Sequence, residues 1–313
     1  MIGGAPDTKE PVFAGDPGQR MAVWVDVPKA DVARETGPSR EREQESAGVL
    51  LLHGFTGHWG VWDEAVSTYL PDRLVIRPDA LGHGASDLAP DAEDHRLAAQ
   101  AETLLAALDR IDAPLLHAVG YSMGGRLLFA LALLAPERFL SLTVEGASPG
   151  IADPSLRSAR RAQDEVLARL LLNQGIETFV RHWEDLPLFA TQKTLPPEVI
   201  ARQRTIRLSQ RPEGLAASLR GAGQGVEPSR WQDLPRLKMP ILFVAGEADT
   251  QKIATGRSVA SAVADGRLWV VPGSGHSPHL ECPDLFWERV LAFWKDVEAR
   301  AQEGRERSSR PGT

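Results

Sequence analysis

The chain has 313 residues, 42% of them hydrophobic and 25% charged, with a formal net charge of −7. That apolar share suffices for a packed core, and the acidic balance argues against nucleic acid or an anionic membrane as partner, because both select basic surfaces. A single cysteine, Cys282, excludes an internal disulfide and any multi-thiolate metal site within one chain.

The opening stretch MIGGAPDTKEPVFAGDPGQ (1–19) is rich in Gly, Pro and Asp and lacks the apolar core of a signal peptide. It reads as a flexible tail on a cytoplasmic protein. MAVWVDV (21–27) is the first strand-like run, and the charged stretch 29–48 after it reads as a solvent-exposed connection. Further strand-like runs follow at 48–55, 73–80, 114–121, 140–147, 240–247 and 266–273. Most are continuously apolar rather than alternating, as strands covered on both faces require. Amphipathic stretches separate them at about 59–70, 93–110, 123–135, 253–264 and 283–298. In the second of these, Leu97, Leu104, Leu105, Leu108 and Ile111 form one apolar helical face. No apolar run is long enough to span a bilayer.

Strand–helix alternation of this kind predicts an α/β fold with a doubly wound, mostly parallel sheet. One region breaks the rhythm. Residues 149–226 carry only helical stretches such as DEVLARLLLNQ and GLAASLRG, and they are rich in arginine. They read as a helical cap inserted into a core of residues 20–148 and 227–298, with residues 299–313 as a second tail. Most of the cap arginines are expected to pair with Glu and Asp on exposed helical faces.

GYSMG (120–124) matches the G-x-S-x-G nucleophile elbow, with LLHAV before it and MGGRLLFALALLA after it. Such an elbow forces a strand to reverse sharply into a helix, and it exposes Ser122 at the carboxyl end of the sheet. The following helix N-terminus favours developing negative charge there. An oxyanion hole is expected from the amides of Met123 and of Phe55, the latter in the loop LLHGFTG. The order Ser…Asp…His places the acid at Asp249, after FVAGE, and the base at His276, after VVPGSG. Glu145, also at a strand end, is the alternative acid. His276, His279 and Glu281 could instead gather a metal, although no metal and no cofactor is expected; His53 and His83, in glycine-flanked loops, read as structural.

These residues resemble the α/β-hydrolase superfamily across roughly 20–298. Within it they are most similar to the 2-succinyl-6-hydroxy-2,4-cyclohexadiene-1-carboxylate synthases of menaquinone biosynthesis. The resemblance is carried by LLHGFTGHWGVW, PDALGHGASD, GYSMGGRLLFALAL, VEGASPGI, the cap stretch ending at Trp231, and GHSPHLECPDLF. It implies a lyase that eliminates pyruvate from a small, multiply carboxylated substrate, with the triad used as a base system. It also implies substrate contacts from Tyr121, Arg126, Arg160, Trp183 and Arg207. The chain departs from that family after the acid. It reads DTQKI, so Gln251 and Lys252 stand where the family has a basic residue followed by an aromatic one. A serine esterase or carbon–carbon bond hydrolase would use the same triad, and a non-catalytic binding protein would have no use for all three groups.

Overall fold

The computed structural model describes residues 10–28, 47–89, 91–113 and 115–309. Eight described strands form one sheet: β1 (Val12–Ala14), β2 (Met21–Asp26), β3 (Gly48–Leu52), β4 (Val75–Pro78), β5 (Leu116–Tyr121), β6 (Phe139–Glu145), β7 (Ile241–Gly246) and β8 (Gly266–Val271). Their order is β1-β2-β4-β3-β5-β6-β7-β8. The β1–β2 and β2–β4 pairs are antiparallel and the others parallel. The sheet is therefore mostly parallel, as expected.

The helices are α1 (Asp63–Tyr69), α2 (Leu97–Arg110), α3 (Met123–Leu134), α4 (Pro154–Glu184), α5 (Pro197–Leu208), α6 (Pro212–Ala222), α7 (Thr250–Ala262), α8 (Pro278–Glu281) and α9 (Pro283–Ser309). Alternate residues of a strand face opposite sides, and β3 shows how both sides are filled. Leu50 and Leu52 pack into a core that includes Leu104 of α2, Leu131 of α3 and Val259 of α7. Val49 and Leu51 pack into a second core with Ala65 of α1 and Phe286, Trp287 and Trp294 of α9. Burial on both faces explains why these strands read as unbroken apolar runs.

The stretch between β6 and β7 holds α4, α5 and α6 and no described strand. It has its own small core, with Ala168, Leu171, Phe179 and Val180 of α4 against Leu215 and Leu219 of α6; Phe55 packs against it from the loop after β3. Inside α4, Gly175 adopts φ 76° and ψ 176°, which breaks the helix and which only glycine takes readily.

Two expectations need correction. The 1–19 tail contains β1, a three-residue edge strand held by backbone pairing to β2, too short to show any periodicity. The 299–313 tail is entered by α9, which continues to Ser309. That extension has no apolar face, but Arg300 pairs with Asp296 and Gln302 with Glu306, both one turn apart. The expected connection at 29–48 lies outside the described residues except at its end, where Ala47 leads into Gly48, the first residue of β3.

Candidate active site

β5 ends at Tyr121 and α3 begins at Met123, leaving Ser122 as the single residue of the reversal. Its φ of 52° and ψ of −106° are strained for a residue with a side chain. The flanking glycines make the turn possible. A Cβ on Gly120 would lie 2.7 Å from Gly124 O and from Gly125 Cα, and one on Gly124 would lie 2.3 Å from Leu52 O. The start of α3 is therefore pressed against the end of β3, where the Gly54–Phe55 loop begins. A Cβ on Gly54 would touch the Tyr121 ring and would come within 3.6 Å of Ser122 Cβ. The amides of Phe55 and Met123 thus belong to chain segments on either side of the serine.

Residues from the loops after β7 and β8 complete the group. Asp249 caps α7, accepting the Lys252 amide at Oδ1 (3.1 Å). Its Oδ2 accepts the His276 Nδ1 proton at 2.7 Å. With Nδ1 carrying that proton, Nε2 is an acceptor and lies 3.2 Å from Ser122 Oγ. Burial pushes the Asp249 carboxyl up, but the His276 hydrogen bond and charge, with the Lys252 amide and charge, leave it below the ordinary carboxylate range. The acid stays ionised.

The alternative acid is committed elsewhere. Glu145 is fully buried and accepts from the His279 amide and from His279 Nδ1, each at 2.9 Å. Its carbonyl takes the Ser122 amide at 2.8 Å, so Glu145 supports the elbow through its backbone. The metal reading fails on the same contacts. Both His276 nitrogens are engaged, His279 faces Glu145, and Glu281 accepts from the Gly275 and Ser277 amides. No cluster of metal-binding side chains occurs among the described residues. His53 and His83 are buried in the loops after β3 and β4, their rings 5.3 Å apart.

The expected substrate contacts fall on two sides. Phe55, Tyr121, Trp183 and Arg207 line one hollow. There the Trp183 ring packs edge-on to Phe55 at 5.3 Å, and the Arg207 guanidinium lies over Phe189, 5.4 Å from its centroid. Arg207 also donates to Glu184 Oε1 (3.2 Å) and Gln192 Oε1 (3.0 Å). Arg126 lines a separate, smaller hollow and donates to the Ala222 carbonyl at 2.6 Å. Burial lowers its pKa to about 10, so it remains a cation at neutral pH. Arg160 donates from Nε to the buried Asp164 at 2.8 Å. Gln251 is exposed, whereas Lys252 is half-buried. Burial draws the Lys252 ammonium below its usual range, Asp249 opposes that shift, and Arg160 and Arg126 reinforce it.

Three contributors were not anticipated. Ser277 accepts from Gln192 Nε2 at 2.9 Å and lies 2.6 Å from the Tyr121 hydroxyl. Phe189 packs edge-on to the His276 ring at 6.2 Å. Ser277 could have been suspected from its place beside His276. Gln192 and Phe189 carry no motif, and only the folding of the helical stretch onto the sheet brings them near.

The α/β hydrolase fold family matches the chain over residues 49–283. A Bacillus subtilis protein that bears, provisionally, the name 2-succinyl-6-hydroxy-2,4-cyclohexadiene-1-carboxylate synthase is 36% identical over 257 residues, covering 82% of this chain and 93% of that one. The synthase of that name from an Enterobacter strain is 28% identical over 249 residues, covering 79% and 91%. Among solved structures, MenH from S. aureus superposes with a TM-score of 0.80 at 29% identity, covering 88% of this chain and 98% of the other. An esterase from Thermogutta terrifontis, at 23% identity and a TM-score of 0.75, shares the fold.

Proposed function

Since the chain belongs to the α/β-hydrolase fold family, and within it to the 2-succinyl-6-hydroxy-2,4-cyclohexadiene-1-carboxylate synthases, we propose that it eliminates pyruvate from 2-succinyl-5-enolpyruvyl-6-hydroxy-3-cyclohexene-1-carboxylate in the cytoplasm. Ser122, oriented by His276 and Asp249, removes a ring proton as its own hydroxyl proton passes to His276 Nε2. The freed electron pair forms the C2–C3 double bond, the C3–C4 double bond shifts to C4–C5, the C5–oxygen bond breaks, and the leaving enolate takes the proton held on His276 to become pyruvate. No water is added and no acyl-enzyme forms. The amides of Phe55 and Met123 stabilise oxyanion charge as it develops.

The helices from residue 149 to 226 act as the cap over this centre. Arg126, Arg160 and Arg207 grip the substrate carboxylates, for which the planar guanidinium offers two parallel hydrogen bonds. Tyr121 and Trp183 form the wall of the pocket. The observation that carries the reading is the unbroken hydrogen-bonded chain Ser122–His276–Asp249 together with the half-buried Arg126, Arg160 and Arg207 on an acidic protein. Neutral esters need no such cations.

The test is direct. Purified protein given the enolpyruvyl substrate is expected to release pyruvate, followed as NADH loss through coupled lactate dehydrogenase. Arg126→Ala is expected to lower turnover at least about tenfold, the effect of one lost charge-assisted hydrogen bond. No pyruvate, together with brisk hydrolysis of nitrophenyl esters, would replace the lyase with an esterase.

A further inference from the structure

Arg207, Gln192, Ser277 and Tyr121 form a line of hydrogen bonds from the helical stretch to the sheet. Arg207 carries donors only, so Gln192 must present Oε1 to it and Nε2 to Ser277; the carboxamide cannot be reversed. Ser277 Oγ is thereby an acceptor. Between Ser277 Oγ and the Tyr121 oxygen, 2.6 Å apart, there is room for one proton. The pair owns two. Either Ser277 donates to Tyr121 and the tyrosine proton needs another acceptor, or the reverse holds. No second acceptor for either hydroxyl occurs among the described residues. Ser277 is 1% exposed, and a buried hydroxyl proton without an acceptor is costly. The half-buried Tyr121 can offer its proton to the hollow it lines. The favoured direction runs Arg207→Gln192→Ser277→Tyr121, each bond polarising the next from a guanidinium charge.

We infer that Ser277 and Gln192 are positioning residues that aim the Tyr121 hydroxyl as a donor at an anionic oxygen of the substrate, held between that hydroxyl and the Arg207 fork. The identity of that substrate rests on the lyase reading; the relay itself requires only a carboxylate. Tyr121 precedes Ser122 and Ser277 follows His276, so the donor is fixed one residue from each reacting group.

The test is a double-variant cycle. Ser277→Ala is expected to raise KM for the enolpyruvyl substrate about tenfold to a hundredfold, the effect of one hydrogen bond to a charged group, with kcat changed by less than about twofold. Tyr121→Phe should do the same, and the double variant should be no worse than Tyr121→Phe alone. Gln192→Leu, one step further back, should be equally silent in the Tyr121→Phe background, and it decides the matter if Ser277→Ala does not fold. Additive losses, or a loss confined to kcat, overturn the relay. The same cycle read as succinate affinity by calorimetry is independent of turnover. Coupling in succinate binding with no pyruvate release would keep the relay and remove the lyase. Pyruvate release with additive losses would do the opposite. A wild-type protein showing neither succinate binding nor turnover would remove both.

Discussion

The two carboxylates at the ends of β6 and the β7 loop show how neighbours, rather than residue type, decide a role. Asp249 meets Nδ1 of His276 and is held ionised there, where in the proposed reaction it would fix the imidazole tautomer and stabilise the imidazolium that forms when Ser122 gives up its proton. Glu145 spends its oxygens on His279. Asp249→Asn is accordingly expected to lower kcat by about a thousandfold to ten-thousandfold, since an amide can hold the wrong tautomer. Glu145→Gln should leave kcat within about threefold while costing about 1–3 kcal/mol of stability, because it weakens a buried charged acceptor with two donors. Steady-state kinetics and thermal melts of the two variants separate these effects. A catalytic collapse in Glu145→Gln with Asp249→Asn unharmed would reverse the assignment.

At the scale of elements, the site depends on how tightly α3 lies against the end of β3. Gly124→Ala would drive a Cβ to 2.3 Å from Leu52 O and 2.7 Å from His53 O. Both contacts are backbone, so α3 must shift and carry Ser122 and the Met123 amide away from the Phe55 loop. A misplacement of about 1 Å in a catalytic group costs about a hundredfold, and kcat/KM should fall by at least that much in protein with unchanged far-ultraviolet circular dichroism. Native turnover in Gly124→Ala would mean that the junction is looser than its contacts imply. The same junction explains what the sequence could reveal. The elbow, the acid and the base each follow a strand-like apolar run, so the G-x-S-x-G motif and the Ser…Asp…His order could be laid onto strand ends read from the sequence. β3 ends at Leu52 rather than at residue 55, and the Gly57 amide turns back to the Gly54 carbonyl instead of pairing in the sheet. β1 was invisible because three edge residues held by backbone pairing leave no side-chain pattern. Gln192 and Phe189 were invisible because their partners lie more than eighty residues away in sequence and meet only in the folded chain.

The whole molecule should respond to acid through the histidines it buries uncharged. Burial lowers His53 and His117 to about 4, and it lowers His83 well below its usual value. His53 shows the structural reason, because its Nε2 accepts the Ala80 amide at 2.9 Å and a proton there would break that bond. His117 is stacked on Trp294 at 4.9 Å, where a charge would lose its hydration. The unfolded chain protonates these groups near pH 6.5 and the folded chain resists until about 4 or lower, so between those values the unfolded state binds more protons. Stability must then fall as the pH is lowered through that window. Asp79 acts in the opposite sense, since burial raises it to about 6 and protonating it relieves the fold. His58, also lowered by burial, joins the three histidines against the one carboxyl, and the carboxylates held low by ion pairs, such as Glu165 at about 2, contribute only at more acid pH. The midpoint of thermal unfolding should therefore drop on going from pH 7 to pH 5. His117→Gln, which carries no ionisable proton, should flatten that dependence whatever it does to stability at neutral pH. A midpoint that holds or rises at pH 5 would mean that Asp79 and its surroundings outweigh the histidines, and that the protein's interior accepts imidazolium more readily than its packing suggests.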